Sequence, residues 1–147
     1  MTENNLIEFI IEKLKNYPDI EYQAKSSKEL KISKSDENGF DILLRLNTKE
    51  NTLHFGSSHW HFGKTDEELD ELLKYLLFVL TGMARIKEYS KNKKGYKWIL
   101  EFQDRAGNWY DNGAMGTINI KFWAKTEINY FQNNLLPKEI LIAYFEE

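Results

Sequence analysis

No cysteine occurs in the 147 residues, and that absence removes disulfides, thiolate zinc sites, iron–sulfur clusters and cysteine nucleophiles together. Long apolar runs are missing as well. The N-terminus opens on polar Thr2, Glu3, Asn4 and Asn5, and Glu8, Glu12 and Lys13 interrupt the apolar stretch that follows, unlike a secretory signal. Leu69 to Leu80 is apolar but too short and too charged to span a bilayer. A soluble, cytoplasmic protein without membrane contact is expected. Basic excess is lacking too: a net charge of −3 disfavours a general nucleic-acid binder. No phosphate-cradling glycine loop, no nucleophile elbow and no defensible pair of catalytic carboxylates stands out. Binding is therefore favoured over catalysis.

What is present belongs to a folded chain. Apolar residues make up 41% and aromatics 14% of it, too many for a disordered segment. Without repeats or linkers, residues 1–147 read as a single domain. Leu6, Ile7, Phe9, Ile10 and Leu14 recur at helical spacing, predicting a helix from about Asn4 to Asn16 that stops before Pro18. Strands are expected around Ile20–Ala24, Leu30–Ile32 and Phe40–Leu46, and from Thr52 onward, where apolar and polar residues alternate. Thr65 and Glu68 fit a capping box, and Leu69, Leu72, Leu73, Leu76, Leu80 and Met83 give the second helix a broad apolar stripe ending near Gly82. After a basic loop, strands are expected over Tyr96–Gln103 and Ile118–Ala124, with turns at Asp104–Asn108 and Asn112-Gly113. The tail suits a helix opened by Pro137 or a strand, the helix being preferred. The fold class expected is α+β: a mostly antiparallel sheet of about five to seven strands, with two or three helices covering one face.

All three histidines fall in His54-Phe55-Gly56-Ser57-Ser58-His59-Trp60-His61-Phe62. In an extended chain His59 and His61 project to one side, a spacing that lets two imidazoles share a transition metal. His54 is out of phase with them in an unbroken strand. A one-residue bulge at Gly56–Ser58 would place Leu53, Phe55, Trp60 and Phe62 on the core face and all three histidines outside. His54, His59 and His61 are thus candidate metal ligands. The plainer alternative is a solvated or partner-facing surface whose histidines bond to neighbours. No other cofactor is indicated.

Two charge blocks follow. Residues 66–71 hold five acids, and residues 85–97 hold six bases and one acid. Both suit the dipole of the second helix. A functional alternative makes Asp66, Glu67, Asp70 and Glu71, with Trp60, a surface for a basic protein partner. Glu101, Asp104 and Asp111 match no defensible acid–base or calcium-binding spacing, Asp104 and Asp111 reading as turn residues, and Trp109, Tyr110, Trp123, Tyr130 and Phe131 read as core or as an aromatic binding face.

The run of strand, glycine, His59-Trp60-His61-Phe62 and a capped acidic helix ending near a glycine, with Gly107-Asn108-Trp109 and Lys121-Phe122-Trp123 further on, resembles small stand-alone bacterial immunity proteins of polymorphic toxin systems. The likeness covers Phe40 to Trp123. It implies a non-enzymatic module that binds and blocks a cognate toxin domain, and it brings no catalytic residues. The alternative function is a small metal-binding protein or metal-dependent enzyme using the histidines.

Overall fold

A computed structural model describes residues 3–116 and 124–146. The strand expected over Ile118–Ala124 lies, apart from Ala124, outside the described residues, as does Trp123. After a single turn of 3-10 helix, α1 (Leu6–Leu14) buries Leu6, Ile7, Ile10 and Leu14, the stripe that its spacing predicted. Lys15 and Tyr17 donate their amides back to Ile11 and Leu14, and the helix stops before Pro18.

Five short strands follow: β1 (Tyr22–Ser26), β2 (Glu29–Ile32), β3 (Ile42–Leu46), β4 (Asn51–Phe55) and β5 (Ser58–Phe62). They form an antiparallel meander in sequence order. Leu30, Ile32, Ile42, Leu44, Leu46, Leu53 and Phe55 make its buried face. On the other face two rows run across the strands, Gln23–Lys31–Leu43–His54–His59 and Glu29–Arg45–Thr52–His61.

α2 (Asp66–Thr81) has the capping box that its sequence announced: Thr65 Oγ1 accepts from the Glu68 amide at 3.2 Å. Gly82 closes the helix with φ 78°, the left-handed region that glycine enters without steric cost. Thr65→Ala is expected to lower stability by about 1 kcal/mol, and urea denaturation of the two proteins checks it. Rings tie α2 to both sheets. Tyr75 meets Phe62 edge-on at 5.1 Å on one side and Phe102 at 5.0 Å on the other, while Phe78 stacks on Phe102 at 4.3 Å.

A second antiparallel sheet comprises β6 (Ala84–Lys91), β7 (Lys94–Gln103), β8 (Trp109–Gly116) and β9 (Glu127–Phe131), in spatial order β8-β7-β6-β9. The chain closes with α3 (Lys138–Glu146), which packs on α2. The architecture is α+β with antiparallel sheets, as expected, and its strands are divided between two sheets.

Three local expectations change. The basic segment after α2 is not a loop: β6 is an inner strand of the second sheet, and β6 and β7 meet in a tight hairpin at Asn92-Lys93, both with positive φ. Asn112-Gly113 does not reverse the chain either. It lies within β8, opposite a register shift in β7, with Gly113 at φ 134°. The tail is the helix rather than the strand.

One buried group fastens the halves of the chain. Asn133, 1% exposed, accepts the Phe40 amide at 2.9 Å and donates to the Phe40 carbonyl at 3.1 Å. It thereby joins the segment leaving β9 to the start of β3. Hydrophobic residues of both sheets and all three helices form one buried cluster around α2.

Candidate functional site

The histidines share one face, as the pattern predicted, but not through a bulge. The chain reverses at Gly56-Ser57, so that β4 and β5 are separate strands with Phe55 opposite Ser58 and His54 opposite His59. Gly56 alone takes a positive φ, 61°, as the first position of a type II′ turn requires. A two-residue hairpin restores the phase that an unbroken strand lacks, because directly paired residues lie on the same face. Ser58 is buried and donates to the Phe55 carbonyl at 3.0 Å, so it serves the turn.

Ring centroids are 5.5 Å apart for His54 and His59, and 4.9 Å apart for His59 and His61. His61 Nδ1 stands 3.1 Å from both Thr52 Oγ1 and Glu50 Oε1. Among the described residues no group of three histidines or carboxylates is arranged to hold a metal ion. Partial burial, then the charge of Arg45 and then the other two imidazoles hold His54 below the ordinary histidine range. In the unfolded chain that restraint is gone. Below the ordinary value of 6.5, the unfolded state therefore binds a proton that the folded state refuses, and stability falls as pH drops through that window. His54→Gln is expected to flatten the loss of Tm between neutral pH and pH 5, measured by thermal melts of both proteins.

Asp66, Glu67, Asp70 and Glu71 are all exposed on the first half of α2. No ion pair between described residues engages them. Trp60 is half-buried, 5.5 Å from the Phe55 ring, and a Cβ at Gly113 would lie 3.0 Å from its Nε1. Its place is where β5 meets β8.

One organised surface feature escaped the sequence. Along β6, Ala84 and Ile86 face the core while Arg85, Lys87 and Tyr89 face out. Glu101, Ile99 and Lys97 oppose them on β7, and Tyr130 and Ile128 flank them on β9. The Arg85 guanidinium is sandwiched, its Cζ 4.0 Å from the Trp109 ring centroid and 4.3 Å from that of Tyr130. Its Nε donates to Glu101 at 2.8 Å. Tyr89 is flanked in the same way by Lys87 at 5.1 Å and Lys97 at 5.5 Å. Tyr130 and Ile128 remain 48% and 47% exposed. The signal for this face was present in the alternation of residues 84–89, masked by a density of lysines that reads as loop.

The aromatic residues of the C-terminal half divide accordingly. Trp109 and Tyr130 lie on the outer face, and Phe131 packs against the core. Tyr110 is exposed and donates its hydroxyl to Asp104 at 2.9 Å. Asp104 also accepts the Asn108 amide, Asp111 accepts that of Gly113, and Glu101 holds Arg85. These acids serve turns and an ion pair, each separately.

Compared with protein-family models, with curated proteins and with solved structures, the chain matches none.

Proposed function

We propose that this chain is a non-enzymatic protein-binding module that docks its partner on the outer face of the second sheet, and that its partner is a toxin domain it blocks by occlusion. The observation that carries the proposal is the Trp109–Arg85–Tyr130 stack. Tryptophan, tyrosine and arginine are the side chains over-represented where binding energy concentrates. Here the three are held in register by adjacent strands and by Glu101, so little side-chain freedom is left to lose on association. Exposed Ile128 supplies apolar area beside the stack, and Lys87, Lys97 and Asp111 give it a polar border.

α2 packs on the inner face of the same sheet through Phe78 and Phe102. Its exposed acids therefore lie off the docking face, where they act on a basic partner at longer range by steering its approach. Blocking by occlusion is the form that the resemblance to immunity proteins supplies. Co-expression with any secreted toxin that a neighbouring gene encodes tests both parts. The expected results are a one-to-one complex and cells protected from the toxin, with both weakened by Tyr130→Ala. Neither complex nor protection would remove the toxin from the proposal, and a complex indifferent to Tyr130→Ala would remove the docking face.

A further inference from the structure

A cleft of about 510 Å³ opens where the outward face of the first sheet meets the inner face of the second, lined on one side by Leu43, Arg45 and His54 and on the other by Ile86, Trp98 and Phe131. Its size is that of a small-molecule site. Its two walls differ in chemistry. The second sheet contributes the apolar and aromatic surface of Ile86, Trp98 and Phe131 together with the Glu88 carboxylate, continued by Phe40 and Phe55, while the first sheet and the segment between β2 and β3 contribute Lys25, Lys31, Lys34 and Arg45 against the carboxylates of Glu29 and Asp41.

The bonding pattern shows which donors are spent. Arg45 gives only its Nε, to Glu29 at 2.7 Å, and its two terminal amino groups take no partner among the described residues. That pair of amino groups is the fork that receives a carboxylate side-on. Lys25 and Lys31 sit in long ion pairs of 3.7 and 3.8 Å, leaving both side chains room to turn inward. On the opposite wall the Trp98 indole N–H is committed to Glu88 at 2.8 Å, which fixes the ring.

The geometry points to a binding site for a small amphipathic anion, its carboxylate on Arg45 and its aromatic body against Trp98 and Phe131. The site is independent of the docking face, since it lies between the sheets and not on the outer face of the second. Arg45 is one of the groups that disfavour a charged His54, so a carboxylate placed beside both would move His54 titration upward.

Amide-resolved NMR titration of the full chain tests this, with 1-naphthoate as probe, 1-naphthalenemethanol as its neutral counterpart and inorganic phosphate as a bare oxyanion. Naphthoate should shift the amides of Leu43, Arg45, Gly56 and Trp98 saturably and raise the pH midpoint of His54. Arg45→Gln should weaken it roughly tenfold or more while keeping a dispersed spectrum, and Arg45→Lys, which retains charge without the fork, should fall between. The alcohol and phosphate should both bind more weakly than naphthoate. Equal affinity for the alcohol, or for Arg45→Gln, would overturn the role of the fork, and phosphate binding as tightly as naphthoate would overturn that of the aromatic wall. Shifts confined to the groove between the helices at Phe9 and Leu77, or no saturable shift at millimolar probe, would overturn the site itself.

Discussion

Asn133→Ala is expected to destabilise the protein by about 2–4 kcal/mol. The amide side chain is buried and satisfies both backbone groups of Phe40, itself only 6% exposed. Removing it leaves a donor and an acceptor without their partner in a place water does not reach, and the cost is the desolvation penalty of each. Asn133→Asp should do no better, because a carboxylate accepts the Phe40 amide but has nothing to offer its carbonyl. No isosteric rearrangement relieves the loss, since the surroundings are tight: a Cβ at Gly39 would collide with Asn133 Oδ1, and one at Gly82 would lie 2.5 Å from the Asn133 carbonyl oxygen. In a domain of this size the change corresponds to a fall in Tm of roughly 5–15 °C. Thermal and urea unfolding followed by circular dichroism measure it, and a loss under about 1 kcal/mol would mean that the bridge does not hold the two halves together.

The second large effect falls on association. Trp109→Ala or Tyr130→Ala should each weaken partner binding by about 2 kcal/mol, roughly 30-fold in Kd. Each removes one of the two rings that hold the Arg85 guanidinium, so the arginine loses its fixed orientation along with the contact area of the ring. Folding should change little, because Tyr130 is half exposed and neither residue belongs to the buried cluster. The acids of α2 should behave differently. Neutralising Asp66, Glu67, Asp70 and Glu71 together should slow association and weaken its dependence on salt, with dissociation nearly unchanged. Stopped-flow mixing at two ionic strengths separates the two kinds of residue.

Local signals read well where they act alone. α1 and α2 follow directly from apolar spacing, Pro18, the Thr65–Glu68 box and Gly82, since helices are specified by contacts within a few residues. The face carrying the histidines was also legible, from Leu53, Phe55, Trp60 and Phe62 alone. How the chain achieves it was not, because a bulge and a hairpin both correct the phase by local backbone change at a glycine, and only pairing with the neighbouring strand separates them. β6 was hidden for a different reason. Its outward positions hold Arg85, Lys87 and Tyr89, residues that look like a solvated loop until Trp109 and Tyr130 arrive from strands distant in sequence to sandwich Arg85. This outer face is thus a product of strand order. Residues 85, 109 and 130 become neighbours only because β6, β8 and β9 lie in one sheet, and no spacing along the chain encodes that. That His59 and His61 share a face was readable in their alternation, whereas the engagement of His61 with Thr52 and Glu50 depended on register.

The central claim is that the outer face of the second sheet binds a protein partner, and isothermal titration of the chain against a toxin domain captured by co-expression tests it most directly. Wild-type protein should give saturable one-to-one heat, and the Trp109→Ala/Tyr130→Ala double variant should bind at least about 100-fold more weakly while melting like the parent. Unchanged affinity in a folded double variant would contradict the account.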